Sequence, residues 1–396
     1  MYKAFKYRIY PNKAQTEMIN KHFGCCRFVY NWALERKTTA YQTSRTRLSC
    51  FDLQKELTKL KKDDKYLWLQ EINAQSIAQS ISHLDFAFSR FFKEKKGYPK
   101  FKKKRNQQSF TARQGCKVDF DSGKISIPKI LGIKAKLSRT FSGDIKLVTI
   151  SRTASGKYFA SFIVETGQPL PAKPKPREKK AVGIDLGLTS FCTLSTGEKV
   201  ASPKFLKQSI KKLRKIQRQF SRKIKSSNRR EKARLRVARL HERVSNQRMD
   251  FLHKLSTQIV RENQTVCVEN LDIQGMLKTP WLAREISDAG WAKLIELLKY
   301  KCDWYGKNLL QIGRFEPSSK MCSCGIINNS LKLADRQWTC EHCGKTHDRD
   351  ILAAQNIKRF AFVDQNLIGQ VPLGQRKLKA RGDRDVSVAE PRSLVV

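Results

Sequence analysis

The sequence predicts a multidomain α+β protein, and three observations carry this prediction. Apolar and polar side chains alternate over residues 1–9, which is the pattern of a half-buried strand. From Lys13 onward, apolar side chains recur every three or four residues, as they do along one face of a helix. A proline-rich stretch over 167–180 then separates this region from a second one that contains both patterns again. A chain of 396 residues is long enough for two or three domains with cores of their own.

The first region is expected to begin with a strand over 1–9 that ends at Pro11-Asn12. Two helices with apolar stripes should follow, and we interpret both stripes as core faces that pack together. Further helix is expected within 38–70. The two stripes are Ile19, Phe23, Cys26, Tyr30 and Ala33, and then Ile77, Ile81, Leu84, Phe88 and Phe91.

Residues 106–165 are typical of strands joined by tight turns. One hairpin is predicted around Ser122-Gly123 and a second around Ser155-Gly156, because each glycine pair lies between alternating apolar runs. Together with the first strand, these strands could close a small barrel into which the helices of 13–92 are inserted. The stretch 167–180, with four prolines within eight residues, is expected to be an extended linker that packs poorly.

The second region opens with a predicted β-meander over 181–200, followed by a long helical segment over roughly 203–260. The run TVCVEN is a short buried strand that ends in Glu269.

A helix over Ser287–Tyr305, a strand over 308–313 and a final helix from near Asp350 complete this region. Residues 363–396 are rich in charge and turn formers, and we expect a loosely ordered tail there.

The charge of the chain points to a polyanionic partner. It has 80 Lys and Arg against 35 Asp and Glu, a formal net charge of +45, and no compact fold gains stability from such repulsion. Nucleic acid is the leading candidate, with a membrane surface as the alternative. No apolar run approaches the ~20 residues of a membrane span, and the N-terminus lacks a signal-peptide core, so we expect a soluble, cytoplasmic protein without a membrane partner.

Two basic stretches are the candidate nucleic-acid contacts. The first interleaves lysines with Tyr98 and Phe101, which suits stacking on unpaired bases beside phosphate contacts, although a solvated loop would look similar. The second, between Lys204 and Arg248, has eighteen Lys or Arg against two Glu, a bias beyond that of an ordinary solvated helix face. The candidate residues are Lys100, Lys102, Lys103, Lys104, Arg214, Arg218, Arg222, Arg229 and Arg230.

Three acidic residues are the candidate catalytic groups. Asp185 lies within a predicted strand, Glu269 ends the fourth strand of the second region, and Asp350 opens a late helix, which is the layout of an RNase H-like nuclease. Phosphodiester hydrolysis by such a site uses two Mg²⁺ ions roughly 4 Å apart, and hard cations take carboxylate oxygens. Asp185 would be shared by both ions, with Glu269 and Asp350 on either side.

Each acidic residue alone has another interpretation. An aspartate in a glycine-flanked first strand also occurs in sugar kinases and actin-like ATPases, and a glutamate at a strand end is usually a surface residue. Asp350 or Asp348 could be a helix N-cap. Only the combination of all three in so basic a chain favours the nuclease interpretation.

Four clustered cysteines predict one structural zinc ion. Cys340 and Cys343 form a CxxCG knuckle, whereas Cys322 and Cys324 have one residue between them instead of two. The short spacing leaves zinc binding by this pair open, with His342 and His347 as stand-in ligands and unligated thiols as the alternative.

With these residues assembled, the chain resembles the TnpB (OrfB) family of insertion-sequence transposons from end to end. The resemblance is carried by YRIYPNKAQTEMINKHFGCCRFVYNWAL, GYPKFKKK, GIDLG, VENL, SDAGWAKLIELLKYKCDWYG, PSSKMCSCG, WTCEHCGKTHDRD and AAQNI. It implies an RNA-guided DNA endonuclease related to type V CRISPR effectors. Such a protein binds a guide RNA from the transposon end, one protein per RNA, and cuts double-stranded DNA beside a short adjacent motif.

The resemblance also implies the domain order and the site residues. It implies a wedge β-barrel (1–9 and 95–166), a helical recognition insert (10–94), a linker (167–180), a RuvC domain (181–316 and 347–362) and a zinc ribbon (317–346). The catalytic carboxylates fall on Asp185, Glu269 and Asp350, and the zinc cysteines on the four cysteines between 322 and 343. The sequence departs from the family in the short first cysteine pair and at Leu352, where an asparagine is expected.

Three other functions remain open from the sequence. A DDE-type transposase shares the RNase H fold but normally needs a separate DNA-binding domain, and no convincing helix-turn-helix is evident. A nuclease-dead RNA-guided repressor would not need the intact acidic residues. A plain RNA-binding protein would use only the basic surface.

Overall fold

The computed structural model describes residues 1–105, 107–332 and 334–364. The chain forms two compact units, each described by itself below. The first comprises Met1–Leu170 with Ser209–Ser245, and the second comprises Pro171–Gln208 with the residues from Asn246 onward. Within the described ranges, no helix has the length and apolar character of a membrane span.

The first unit is built on a seven-stranded antiparallel sheet with the order β2-β6-β7-β1-β5-β4-β3. Both predicted hairpins are confirmed, as β3 with β4 and as β6 with β7. In this order β2 and β3 lie at the two ends, so closure into a barrel stays a prediction. The strands are β1 (Tyr2–Tyr10), β2 (Gln108–Ala112), β3 (Lys117–Asp119), β4 (Lys124–Ile127), β5 (Ile130–Lys136), β6 (Asp144–Arg152) and β7 (Tyr158–Glu165).

The helices of the first unit follow the predicted apolar stripes. They are α1 (Lys13–Ser44), α2 (Cys50–Leu60) and α3 (Ala74–Glu94), with a 3-10 segment over Asp64–Glu71. Asn12 begins α1 with a capping box, because its side chain accepts from the Gln15 backbone N–H and the Gln15 side chain accepts from the Asn12 backbone. Helices α1 and α3 pack against each other and β2, which places both stripes in one core as predicted.

Two further helices, α4 (Phe205–Ser221) and α5 (Asn228–Glu262), occupy the predicted helical segment 203–260. The sequence analysis assigned all of 181–316 to the nuclease domain, but residues 209–245 belong to the first unit. The Arg234 guanidinium donates to the Ala154 carbonyl oxygen at 3.0 Å, and Lys157 pairs with Glu242 at 2.8 Å. These contacts fix α5 to the turn between β6 and β7.

The second unit contains a five-stranded sheet with the order β10-β9-β8-β11-β12. Strands β8, β11 and β12 are parallel, whereas β9 and β10 continue antiparallel from β8 and form the predicted meander. Because all four residues of β11 are buried, its sequence is apolar without alternation. The strands are β8 (Ala181–Leu186), β9 (Ser190–Leu194), β10 (Lys199–Ala201), β11 (Thr265–Val268) and β12 (Asn308–Gln311).

The helices of this unit are α6 (Ile273–Met276), α7 (Pro280–Ala289), α8 (Trp291–Trp304) and α9 (Arg349–Asp364). The predicted helix over Ser287–Tyr305 was wrong in its start, because the chain forms two helices there. Gly290 has a φ of 74° and its N–H donates to the Ile286 carbonyl oxygen, so it ends α7 before α8 begins.

The proline-rich linker does not pack as poorly as predicted. Lys173 pairs with Asp303 at 2.6 Å, and the Asn308 side-chain amide donates to the Pro174 carbonyl oxygen at 2.8 Å. The Arg177 N–H donates to the Gln264 side chain at 3.2 Å. Prolines lack N–H groups, but the carbonyl oxygens of this stretch still accept hydrogen bonds from the second unit.

Two short strands, β13 (Gln337–Thr339) and β14 (Thr346–Asp348), pair antiparallel directly before α9. Strand β13 lies within the predicted ribbon segment 317–346, whereas β14 begins at its last residue and continues to Asp348. Of the predicted tail, residues 365–396 lie outside the described residues.

Candidate functional site

Asp185 and Glu269 come together because their strands are neighbours in the sheet. Strands β8 and β11 pair in parallel, with Ile184 opposite Val268, so the next residue on each strand is Asp185 and Glu269 respectively. The carboxyl ends of parallel strands meet at one edge of a sheet, which is where functional side chains concentrate in such folds. The Glu269 Oε1 accepts a hydrogen bond from the Ser318 hydroxyl at 2.6 Å.

Asp350 reaches the same edge because α9 crosses β8 at very close range. A Cβ added to Gly183 would lie 2.0 Å from the Ala354 carbonyl oxygen and 2.9 Å from the Lys358 nitrogen, so only glycine permits this contact. Asp185 lies two residues beyond Gly183 on the same face of the strand, about 6.6 Å along it. Asp350 lies one helical turn before Ala354, about 6 Å along α9.

The electrostatic environment of Asp185 includes the other two candidate carboxylates. Burial raises the pKa of Asp185 to about 7, and the Glu269 and Asp350 carboxylates contribute in the same direction. The charges of Arg349 and Arg336 act against this rise in pKa. A largely buried carboxylate beside two like charges favours either a proton or a bound cation.

Asp348 and Asp350 have different structural roles. The Asp348 carboxylate accepts from the Asp350 and Ile351 backbone N–H groups, each at 3.1 Å, and pairs with Lys199 at 2.7 Å. Asp348 therefore caps α9, which leaves the Asp350 side chain available for another role.

Arg336 is a site residue that the sequence analysis missed. Its guanidinium lies 3.4 Å from an Asp350 oxygen and donates to the Thr189 hydroxyl at 3.4 Å. Arg336 directly precedes β13, and the Arg349 N–H donates to its carbonyl oxygen. No spacing or motif marks this arginine, because its position depends on how the ribbon folds back onto α9.

The four cysteines form one compact cluster whose sulfur atoms all lie within 4.8 Å of one another. Cys322 lies 3.5 Å from Cys343, and Cys324 lies 3.8 Å from Cys340. Four sulfurs at 2.3 Å from a tetrahedral ion would lie about 3.8 Å apart, so the cluster fits a structural zinc ion. The short first pair therefore does not prevent all four sulfurs from meeting.

The surroundings of the cluster act in opposite directions on its thiols, because burial raises the pKa of Cys322 to about 12 whereas the pKa of Cys340 is lowered. A hydrogen bond from the Cys343 backbone lowers the pKa of Cys340 to about 6, with a smaller contribution from the His342 backbone. The His347 Nε2 lies 3.0 Å from the Cys322 sulfur, whereas His342 is exposed. Of the two histidines, only His347 therefore lies against the cluster in the described part of the chain.

Leu352 connects this cluster to α9. It is 3 % exposed and packs in an apolar cluster with Trp338, Cys322 and Cys340. The side chain that departs from the family pattern therefore faces the ribbon.

No other group of three or more metal-ligating side chains in the described ranges is gathered as closely as the cysteines.

The candidate nucleic-acid residues fall on two exposed segments, with one exception. Lys100, Lys103 and Lys104 are exposed. Lys102 is exposed over its length, but its ammonium lies 3.9 Å from the centre of the Tyr30 ring, where burial lowers its pKa. Reciprocal hydrogen bonds between the Asn31 side chain and the Lys102 backbone hold this segment on α1. The exposed arginines are Arg214, Arg218, Arg222 and Arg229.

Arg230 is the exception, because it is occupied within the protein. Its guanidinium donates to the Lys223 carbonyl oxygen at 2.6 Å and lies 4.4 Å from the Phe220 ring. It joins the end of α4 to the start of α5.

Three family models match parts of the chain. Residues 161–279 match the OrfB_IS605 family, described as "Probable transposase", and residues 291–357 match one described as "Cas12f1-like, TNB domain". Residues 1–46 match one described as "Helix-turn-helix domain", although the structure has β1 and the single helix α1 there.

Similar proteins cover nearly the whole chain. A Streptomyces pristinaespiralis protein named "Putative RNA-guided DNA endonuclease" is 42% identical over 359 residues, which is 90% of this chain and 88% of that protein. The Escherichia coli (strain K12) protein InsQ, which has the same descriptive name, is 30% identical over 89% of this chain and 91% of its own length. The TnpB-like protein L770 of Acanthamoeba polyphaga mimivirus is 24% identical over 54% of this chain and 44% of its own length. The extent and identity of the first two matches establish that the chain belongs to the IS605 OrfB (TnpB) family.

Proposed function

We propose that this protein is an RNA-guided DNA endonuclease that cuts double-stranded DNA with a single RuvC-type site. The observation that carries the proposal is the convergence of Asp185, Glu269 and Asp350 from β8, β11 and α9 at one edge of the second sheet. The Streptomyces pristinaespiralis and Escherichia coli relatives are both named "Putative RNA-guided DNA endonuclease", which supports the same function. So does the sheet order, with three parallel strands flanked by an antiparallel meander, which fits an RNase H-like domain.

In this proposal the carboxylates of Asp185, Glu269 and Asp350 would hold two Mg²⁺ ions, with Asp185 as a ligand of both and Glu269 and Asp350 as ligands of one each. Carboxylate oxygens are the ligands that Mg²⁺ prefers. When bound, the ions activate the attacking water and stabilise the leaving oxygen.

The protein residues around the carboxylates have defined tasks. The Ser318 hydroxyl orients Glu269 by its hydrogen bond, and the Asp348 cap fixes the first turn of α9 so that Asp350 stays at the sheet edge. Arg336 moderates the repulsion among the carboxylates and is positioned to approach a phosphate once Asp350 binds metal.

The zinc cluster is proposed as a structural element of the nuclease domain. Cys322, Cys324, Cys340 and Cys343 would hold one zinc ion with four protein ligands, which leaves no open position for catalysis. The ribbon carries Arg336 and leads directly into α9 through β14, so zinc binding would order two parts of the catalytic site.

The basic surface is proposed to bind a guide RNA derived from the transposon end, one protein per RNA. The exposed lysines of 100–104 and the exposed arginines of α4 and α5 would contact phosphates, which gives affinity without sequence selection. Base pairing between guide and target supplies the sequence specificity, and the protein reads a short adjacent motif. The sheet of the first unit would be the wedge domain and α1–α3 the recognition insert.

The test is to co-express the full chain with its downstream transposon end and purify the complex. The complex is then incubated in Mg²⁺ with plasmids that carry a guide-matched target beside randomised flanks. We expect guide-dependent double-strand breaks enriched for one flanking motif. Asp185→Ala should retain the bound RNA and lose cleavage, because the metal-binding carboxylate is removed while the basic surface is unchanged.

The same experiment separates the alternatives. Joined DNA products would indicate a transposase, the function given in the description of the OrfB_IS605 family. RNA and target binding without breaks in the wild-type protein would indicate a repressor. Absence of bound RNA would refute the guided mechanism altogether.

A further inference from the structure

A short loop after β12 is attached at both ends to the catalytic glutamate. At its start, the Gln311 side-chain amide donates to the Glu269 carbonyl oxygen at 3.4 Å. At its end, the Ser318 hydroxyl donates to the Glu269 carboxylate at 2.6 Å. The loop therefore begins and ends beside one of the three proposed metal ligands.

The same loop is also fixed to the helix that carries Asp350. Asn356, which is 3 % exposed on α9, donates from its side-chain amide to the Ser318 carbonyl oxygen at 2.7 Å and to the Met321 carbonyl oxygen at 2.6 Å. The loop is therefore hydrogen-bonded both to Glu269 and to α9, the helix that contains Asp350, and these bonds fix its position relative to the proposed site.

The loop presents an aromatic side chain to solvent. Phe315 is 90 % exposed, the highest fraction among the large apolar side chains reported for the described residues. Its neighbour Arg314 pairs with Asp272 at 2.8 Å and lies 5.7 Å from the Phe315 ring. Arg314 thus holds the loop toward the start of α6 and leaves the phenylalanine projecting.

The surroundings indicate what this ring contacts. A phenylalanine this exposed contributes little to the core, so burial does not explain it. A second copy of so basic a chain would meet it with like charge. The proposed substrate of the adjacent carboxylates is a nucleic-acid strand, and an unpaired base offers a flat π face that a projecting aromatic ring can stack on.

We infer that Phe315 stacks on an unpaired base of the DNA strand being cut and so positions that strand at the carboxylates. This inference rests on the proposed nuclease function. A base within a duplex is stacked on both faces and cannot accept the ring without being displaced.

Binding is tested separately from cleavage, with full-length Asp185→Ala protein and single-stranded DNA that carries 2-aminopurine at successive positions. We expect quenching of its fluorescence at one position, from stacking, and loss of that quenching in Asp185→Ala/Phe315→Ala. Equal quenching in the two proteins at every position, or no quenching in either, would overturn the inference. This measurement does not need cleavage, so its failure is distinct from failure of the endonuclease proposal.

Cleavage is then compared under single-turnover conditions in otherwise wild-type protein with guide RNA. Phe315→Ala should cut about tenfold more slowly at subsaturating DNA, since base–aromatic stacking has about that effect on affinity. Phe315→Tyr should restore the rate and Phe315→Leu should not, because leucine has no π face. Tyr305→Ala is the control and should cut as wild type, because this aromatic side chain is 50 % exposed and lies just before the start of β12, at the edge of the sheet opposite the carboxylates. Equal rates for the leucine and tyrosine variants would refute stacking.

Discussion

The raised pKa of Asp185 leads to an unusual prediction, that removing this buried charge stabilises the metal-free protein. The carboxyl has a pKa near 3.8 when exposed and about 7 in the folded protein. Between these values the unfolded chain has released the proton while the folded chain still holds it. Stability of the wild type therefore falls as the pH rises through this window, whereas Asp185→Asn has no proton to release there.

The size of the effect follows from the difference in pKa. Each pKa unit corresponds to about 1.4 kcal/mol, so a rise from 3.8 to about 7 destabilises the folded state by up to about 4 kcal/mol above pH 7. We expect the asparagine variant to gain between about 2 and 4 kcal/mol at pH 8. Below about pH 4 both states are protonated, and this advantage should disappear.

The assay is thermal unfolding of zinc-loaded protein in magnesium-free buffers from pH 4 to pH 8. A gain of about 2 kcal/mol corresponds to a rise in Tm of about 4 °C or more in a domain of this size. The control is Asp119→Asn, because hydrogen bonds from Ser122 lower the pKa of Asp119 and its variant should lose rather than gain stability at neutral pH. A Tm difference between Asp185→Asn and wild type that is zero or negative at pH 8 would refute the assignment of Asp185 as a buried, mutually repelled carboxylate. Addition of Mg²⁺ should stabilise the wild type more than the variant.

Three further predictions concern the supports of the site. Gly183→Ala should destabilise the second unit by about 3 kcal/mol in denaturant unfolding, because its Cβ would collide with the α9 backbone. Gly24→Ala is the control, since this α1 glycine has open space around it, and should raise the free energy of unfolding by about 0.5–1 kcal/mol. Equal effects of the two substitutions would contradict the close crossing of α9 and β8. Cys324→Ser should weaken zinc binding more than about tenfold in a chelator competition and should reduce cleavage in parallel. Cys116 is an isolated thiol of the first unit, so Cys116→Ser should change neither zinc binding nor cleavage. Arg336→Ala should shift the pH–rate profile of cleavage to higher pH, because its charge lowers the pKa of Asp185; an unchanged profile with a reduced rate would mean that it acts only on the fold.

The parts of the fold that could be predicted from sequence are those specified by neighbouring residues. Both hairpins of the first sheet could be predicted because a Ser-Gly pair lies between alternating runs in each. In the structure Gly123 and Gly156 adopt the positive φ angles of 64° and 86° that these turns require. The break at Gly290 was missed because helical periodicity continues on both sides of it. The packing of 171–177 was missed because composition reports the absence of N–H groups but not which side chains will donate to the remaining carbonyl oxygens.

The residues of the candidate site also differ in whether neighbouring sequence specifies their position. Asp185 and Glu269 lie on strands whose buried, apolar sequences mark them as central, so their meeting at one edge could be anticipated from local pattern. Arg336 and Phe315 could not, because each depends on a segment that folds back after its strand and is fixed by distant partners. Arg336 is placed by the ribbon, whose sulfurs meet across sixteen and more residues of sequence. Phe315 is placed by a hydrogen bond that Ser318 donates to Glu269 and by one that Ser318 accepts from Asn356.

The zinc ribbon positions one of the three candidate carboxylates. The ribbon interrupts the chain between β12 and α9, and its cluster packs on α9 through Leu352 while its last strand ends at the Asp348 cap. Asp350 therefore depends on the ribbon for its position, whereas the backbone positions of Asp185 and Glu269 are set by the sheet, with only the Glu269 side chain oriented by Ser318. Loss of zinc should then leave the sheet folded and two carboxylates in place, but abolish cleavage by releasing the first turn of α9. Circular dichroism and cleavage rate measured together during zinc removal would distinguish this from unfolding of the whole second unit.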